Sequence, residues 1–181
     1  MNKDDIRRRV KARKTLLTEQ DKVDAAARVF ALLEQTAEFM LADHILMYHS
    51  LPDELSTRAF IDKWSDRKHF FLPRVNGVNL DILPYDKQQL ALGSFHIEEP
   101  TGDDTVSVDD IELIIIPGVA YDRRGARLGR GKGYYDRLLA SSRAVKIGVG
   151  YDFQLFDEIP VEDHDVMMDT VITETIVIRH K

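Results

Sequence analysis

Leu113–Ile116 is a run of four large aliphatic residues set directly before a glycine- and arginine-rich loop, after which helical spacing resumes near Gly133. A strand that is apolar at every residue must be covered on both faces, as happens in a parallel sheet with helices packed on either side. Val145–Val149 reads as a further buried strand beyond a helix over 133–140, and residues 45–48 read as an earlier one. Strands that alternate with helices dictate an α/β fold with a largely parallel sheet. The 181 residues can bury a sizeable core and contain no linker, so the chain is read as one domain, 1–181.

Lys3–Lys14 has the spacing of a basic helix, with Ile6 and Val10 on one face and Arg7, Lys11 and Lys14 on another. Thr18, with Asp21 three residues on, is the N-cap of a second helix whose core face is read as Val23, Ala26, Ala27, Phe30, Leu33 and Ala37. Ser56 is placed as the cap of a third helix that turns Phe60, Ile61 and Trp64 inward. Residues 69–75 and 78–83 flank Asn76-Gly77, a two-residue hairpin turn, and Pro73 marks the first arm as an edge strand. The polar stretch 86–110 is expected to cross the surface, and 170–173 and 176–178 to form terminal strands. The N-terminus lacks the apolar core of a signal peptide, and no run approaches the roughly 20 apolar residues of a membrane span, so a cytoplasmic protein is expected.

Chemistry concentrates in residues 121–143, which hold seven Arg or Lys against two Asp, and four of the ten glycines, in a chain of formal net charge −6. Glycine lets backbone N–H groups approach a ligand, a following helix adds its positive end, and Arg and Lys complete an anion site. The competing reading, a solvated charged loop, is opposed by Tyr134, Tyr135, Leu138 and Leu139, which tie the segment to a core. In open α/β sheets ligands bind beyond the C-terminal strand ends, which is where a loop after Leu113–Ile116 emerges. Familiar nucleotide motifs do not fit. A P-loop needs Gly where Ala126 stands and Ser or Thr where Gly133 follows Lys132, and the dinucleotide pattern beginning at Gly129 meets Tyr134 in place of its last glycine. Asp136 is either a dipole partner in a first helical turn or a Mg²⁺ ligand beside phosphates; a second carboxylate could come from Asp163, Asp165 or Asp169, and spacing does not choose among them.

Several chemistries are excluded. Without cysteine there are no disulfides, thiolate nucleophiles or Cys-ligated metal centres. The six His show no paired spacing such as H-E-x-x-H, which argues against a structural zinc site, and no G-x-S-x-G elbow supports a serine nucleophile.

The segment Leu128-Gly129-Arg130-Gly131-Lys132-Gly133-Tyr134-Tyr135-Asp136, preceded by Pro117-Gly118-Val119-Ala120-Tyr121-Asp122 and Gly125, resembles the signature of the 5-formyltetrahydrofolate cyclo-ligase (methenyltetrahydrofolate synthetase) family. Lys3-Asp4-Asp5-Ile6-Arg7 resembles that family's N-terminal K-x-x-x-R, residues 50–54 its S-x-x-D/E-E loop, and Phe71-Leu72-Pro73-Arg74 its F-x-P-R strand. The resemblance implies a three-layer α/β/α fold with a mostly parallel sheet, related to the NagB, RpiA and CoA-transferase folds. It also implies ATP- and Mg²⁺-dependent conversion of 5-formyltetrahydrofolate, with or without added glutamates, to 5,10-methenyltetrahydrofolate through an imidoyl phosphate. Carried over position by position, it makes Lys3, Arg7, Arg127, Leu128, Gly129, Arg130, Gly131, Lys132, Gly133, Tyr134 and Tyr135 ATP contacts. His49, Glu54 and Arg130 to Tyr134 become substrate contacts, Arg130 and Lys132 the stabilisers of the transferring phosphoryl group, and Asp136 and Asp165 the Mg²⁺ ligands.

Two other classes compete with this reading. A nucleic-acid-binding module is opposed by the acidic net charge and the lack of an aromatic RNA-binding signature. A catalytically silent folate or nucleotide binder is opposed by the intact loop and both aspartates. The expectation is a monomer acting on a small molecule, with no nucleic-acid or membrane partner.

Overall fold

In the computed structural model, which describes residues 1–86, 90–92 and 98–180, helices α1 (Lys3–Lys14), α2 (Glu19–Glu34) and α3 (Ala37–Leu41) precede the first strand. Then come β1 (His44–Leu46), α4 (Arg58–Trp64), β2 (His69–Asn76), β3 (Asn79–Pro84), β4 (Leu90–Leu92) and β5 (Glu98–Pro100). The remainder supplies β6 (Leu113–Ile116), β7 (Ala120–Asp122), β8 (Arg127–Leu128), α5 (Tyr134–Ala140), β9 (Val145–Val149), β10 (Leu155–Phe156), β11 (Thr170–Ile172) and β12 (Val177–Arg179). A seven-stranded sheet of order β12-β11-β9-β6-β1-β2-β3 forms the centre, parallel from β11 to β2 and closed by antiparallel β12 and β3 at its edges. This is the mostly parallel α/β sheet read from the alternation.

Strand β6 is fully buried, as its composition requires. Leu113 and Ile115 pack with Ala26, Phe30 and Leu33 of α2 and Phe60 and Ile61 of α4; Ile114 and Ile116 pack with Leu139 of α5 on the opposite face. A third apolar cluster joins Ile6 and Val10 of α1 to Val119, Ala120 and Leu128. Because β2 lies on one side of β1 and β6 on the other, strand order reverses between β1 and β6. A ligand crevice opens at such a switch point.

Several expectations are corrected. Helix α2 buries Ala25, Ala26, Val29, Phe30 and Leu33 while Val23, Ala27 and Ala37 are exposed. Its apolar stripe centres on Val29 and ends at Glu34, since Thr36 caps a separate helix α3 through its hydroxyl, which accepts from Phe39 N–H. Lys14 shares the buried face of α1 with Ile6 and Val10, eight and four residues before it. Ser56 is not the cap of α4; Thr57 holds that position but spends its hydroxyl donating to the Tyr48 carbonyl at 2.7 Å. The hairpin turn falls on Gly77-Val78, because Asn76 pairs with Asn79 in the ladder and Gly77 takes φ 65°. Strand β2 is internal and β3 forms the edge, yet Pro73 meets no partner from β1, whose pairing with β2 ends at Phe71. The cap at Thr18 stands as read, its hydroxyl accepting from Asp21 N–H at 3.0 Å.

The basic loop is more ordered than its composition suggests, since β7 pairs with β8 on one side and β10 on the other in a small three-stranded sheet. Of the stretch 86–110, residues 87–89 and 93–97 lie outside the described residues; the described part includes the antiparallel pair β4 and β5. Among the described residues no helix is long and apolar enough to cross a membrane.

Gly148 shows how tightly β9 is packed. A Cβ there would lie 2.4 Å from Cε1 of Tyr121, a fully buried ring whose hydroxyl donates to the Ile116 carbonyl at 2.7 Å and cannot swing aside. Gly148→Ala is expected to cost about 2 kcal/mol through overpacking. Urea denaturation followed by circular dichroism reads this as a lowered midpoint; an unchanged midpoint would mean that the ring yields.

Candidate active site

The crevice between β1 and β6 widens into a cavity of about 590 Å³, within the range of small-molecule sites. Tyr48 and His49, which follow β1, and Pro117 and Gly118, which follow β6, form its floor at the C-terminal strand ends. Lys3 and Arg7 reach it from α1, while Pro73, Val75 and Leu80 of the β2–β3 hairpin line it with apolar surface. Every residue to which the family resemblance gives a role lines this one cavity: Lys3, Arg7, His49, Glu54, Arg127, Leu128, Gly129, Arg130, Gly131, Lys132, Gly133, Tyr134, Tyr135, Asp136 and Asp165.

The glycine loop is shaped by backbone torsions that favour glycine. Gly131 has φ 104° and Gly133 φ 72°, values a side chain would strain, and Gly133 is also the N-cap of α5. A Cβ on Gly133 would come within 2.7 Å of the Arg137 guanidinium, which donates to the carbonyls of Lys132 (2.8 Å) and Val78 (2.8 Å). Arg137 thereby ties the loop to the hairpin turn. Arg7 ties it to α1, its Nε donating to the Gly129 carbonyl at 3.1 Å. Arg127 donates to the Pro117 carbonyl at 2.7 Å and lies over the Tyr135 ring at 5.1 Å. Burial pushes the Tyr135 phenol well above its usual range, so this ring stays neutral.

Carboxylates from the loop after β1 face these cations. Arg130 donates to Asp53 at 2.9 Å and lies 3.7 Å from Glu54. Burial raises the Glu54 carboxyl above its ordinary value, against the lowering effects of the Leu51 N–H, which it accepts at 2.8 Å, and of Arg130. Lys14, only 9% exposed, lies 3.6 Å from Asp53, and burial lowers its ammonium despite that partner. A buried ammonium between carboxylates fixes the position of Asp53, and through it Arg130.

A second acidic group approaches from the C-terminal part of the chain. Asp165 has a largely buried side chain, accepts from Glu162 N–H at 2.8 Å and lies 3.8 Å from Lys3 Nζ; Lys3 also donates to Glu162 at 3.0 Å. Of Asp163, Asp165 and Asp169, only Asp165 lines the cavity with Asp136. Carboxylate oxygens beside a basic cradle suit a hard cation that completes its shell with phosphate oxygens and water. Asp53, Lys14, Glu162, His164, Tyr48 and the hairpin's apolar wall escaped the reading of the sequence. Their signal is tertiary, except that Asp53 immediately precedes Glu54.

The sequence pattern of the 5-formyltetrahydrofolate cyclo-ligase family matches residues 1–174. The 5-formyltetrahydrofolate cyclo-ligase of Escherichia coli (strain K12) is 29% identical over 174 residues, covering 91% of this chain and 96% of its own. That of Mus musculus is 31% identical over 154 residues, 76% of each chain. The solution structure of Aquifex aeolicus 5,10-methenyltetrahydrofolate synthetase superposes with a TM-score of 0.90 at 32% identity, over 99% of this chain and 93% of that one. Agreement in sequence and fold across nearly the whole chain, with the signature segments gathered at one cavity, shows that the chain belongs to the 5-formyltetrahydrofolate cyclo-ligase family of enzymes.

Proposed function

We propose that the protein converts 5-formyltetrahydrofolate and ATP to 5,10-methenyltetrahydrofolate, ADP and phosphate, with Mg²⁺ required. The observation that carries this is the convergence on one cavity of the glycine loop, the α1 cations, Glu54, and the pair Asp136 and Asp165. Phosphoryl transfer needs positioning and charge neutralisation more than a protein nucleophile, which fits a site built from Arg, Lys and backbone N–H groups.

In the proposed reaction the formyl oxygen of N5 attacks the γ-phosphorus as the bond to the ADP oxygen breaks, giving an imidoyl phosphate. N10 then attacks the activated carbon, the C–O bond breaks, phosphate leaves with the former formyl oxygen, and the N10 proton is lost. Lys132 and Arg130 stabilise the charge developing on the transferring group; Lys3, Arg7 and residues 127–135 hold the nucleotide. Asp136 and Asp165 would hold Mg²⁺, which supplies further neutralisation of phosphate charge. Glu54 hydrogen-bonds the folate, with His49 beside it, and the Pro73, Val75 and Leu80 wall gives the ring system an apolar face. The working unit is read as one chain, because every residue given a role lines a single cavity of a single chain; a cytoplasmic location belongs to the same proposal.

The bond order of this scheme is open to a direct test. With ¹⁸O in the formyl group, mass spectrometry of the released phosphate is expected to show one labelled oxygen per turnover. Label retained in water or in folate would rule out O-phosphorylation.

A further inference from the structure

The opposite end of the sheet carries a group of side chains that the proposed reaction does not use. His44 opens β1 and His69 opens β2, and the two are register partners on adjacent parallel strands, so both side chains leave the same face. Their rings stack with centroids 5.1 Å apart and planes inclined by 19°. Asp43, immediately before β1, places both carboxylate oxygens 3.2 Å from His69 Nδ1. One donor atom from each of Asp43, His44 and His69 lies within 4.8 Å of the others.

The backbone around this group is fixed. His69 N–H donates to the Asp43 carbonyl at 2.8 Å, and Glu112 Oε1 accepts from the N–H groups of both Asp43 and His44 at 2.9 Å. The Glu112 carboxylate lies 3.6 Å from His44 Nδ1. The side chains of Asp43, His44 and His69 are 53%, 41% and 69% exposed, which leaves them room to close around an ion and leaves the ion a path from solvent.

We propose that Asp43, His44 and His69 bind a borderline divalent cation of the Zn²⁺ class, at the N-terminal ends of β1 and β2. Imidazole nitrogens with a carboxylate suit Zn²⁺ and Cu²⁺, whereas Mg²⁺ takes an all-oxygen shell. Glu112 supports the site from outside, fixing the strand ends and adding negative potential. The linear spacing of the histidines hides the site, because β-pairing brings together residues 25 positions apart. This proposal is independent of the folate reading, since the cavity lies at the other end of the strands.

The test uses chelator-treated full-length protein titrated calorimetrically with Zn²⁺ in Mg²⁺-free buffer. One ion is expected to bind to the wild type and to the double variant Asp136→Asn, Asp165→Asn. His44→Ala and His69→Ala are each expected to weaken binding by about tenfold or more, at unchanged circular dichroism. On the wild type, one equivalent of Cu²⁺ is expected to give an electron paramagnetic resonance spectrum split by two imidazole nitrogens, a readout that needs no variant to fold. Absent binding, a spectrum without nitrogen coupling, His variants that bind as wild type, or loss confined to the Asp136 and Asp165 variant would overturn the proposal.

Discussion

Lys132→Ala is expected to lower ATP-dependent methenyl formation by roughly 10²–10³-fold, chiefly in kcat, the usual consequence of removing a preorganised stabiliser of transition-state charge. The position of Lys132 is set by its backbone: Gly131 and Gly133 on either side take positive φ, and Arg137 anchors its carbonyl at 2.8 Å. These contacts survive truncation of the side chain, so the thermal midpoint should hold within a few degrees. Lys132→Arg keeps the charge but spreads it over a planar fork of different reach, and only partial recovery is expected. Steady-state kinetics beside thermal melts would separate the cases; wild-type turnover in Lys132→Ala would remove this residue from the reaction.

Asp122→Ala is expected to produce the largest loss of stability, about 3 kcal/mol or more, read as a fall of roughly 10 °C in thermal midpoint. The Asp122 carboxylate is fully buried and accepts from the N–H groups of Arg124 (2.8 Å), Ala126 (3.1 Å) and Ile159 (2.9 Å) and from the Arg124 guanidinium (2.8 Å). Removing it strands three backbone donors at the base of the loop that carries the cavity's basic residues, while the Arg124 guanidinium keeps the Ile159 carbonyl and Glu158. Burial alone would raise its pKa, but these hydrogen bonds together outweigh that and hold the carboxyl below the usual value. The sign follows: a depressed folded-state pKa means that the contribution is fully present above the unfolded value near 3.9 and is lost as pH falls through the folded value. The wild type should therefore lose stability in acid more steeply than the variant, and parallel acid-denaturation curves would deny Asp122 this role.

What could be read from the linear chain was local. An apolar run at Leu113–Ile116 has few ways to be buried, and a Thr with Asp three residues on caps a helix through contacts spanning one turn. The signature segments were legible as well, because glycine torsions and clustered charge are properties of short stretches. What escaped depends on which elements meet. Lys14 is buried because α1 lies against the loop bearing Asp53, a contact between residues 39 apart. The apolar cavity wall arises only when the β2–β3 hairpin bends over the β1–β6 crevice, and the hairpin's register turned on which residue beside Gly77 joined the ladder. The strands β7 and β8 are masked by the charge of the segment around them, and the partner on the other side of β7, β10, lies more than 30 residues further along the chain.

The central claim, that this cavity is the site of an ATP-driven folate cyclisation, is tested most directly by mixing the purified protein with 5-formyltetrahydrofolate, ATP and Mg²⁺ and following the near-ultraviolet absorbance of the methenyl product. A rise that needs all three components and is matched by equal release of ADP is the expected result. A flat trace from folded protein, or a rise of equal rate without ATP, would contradict it.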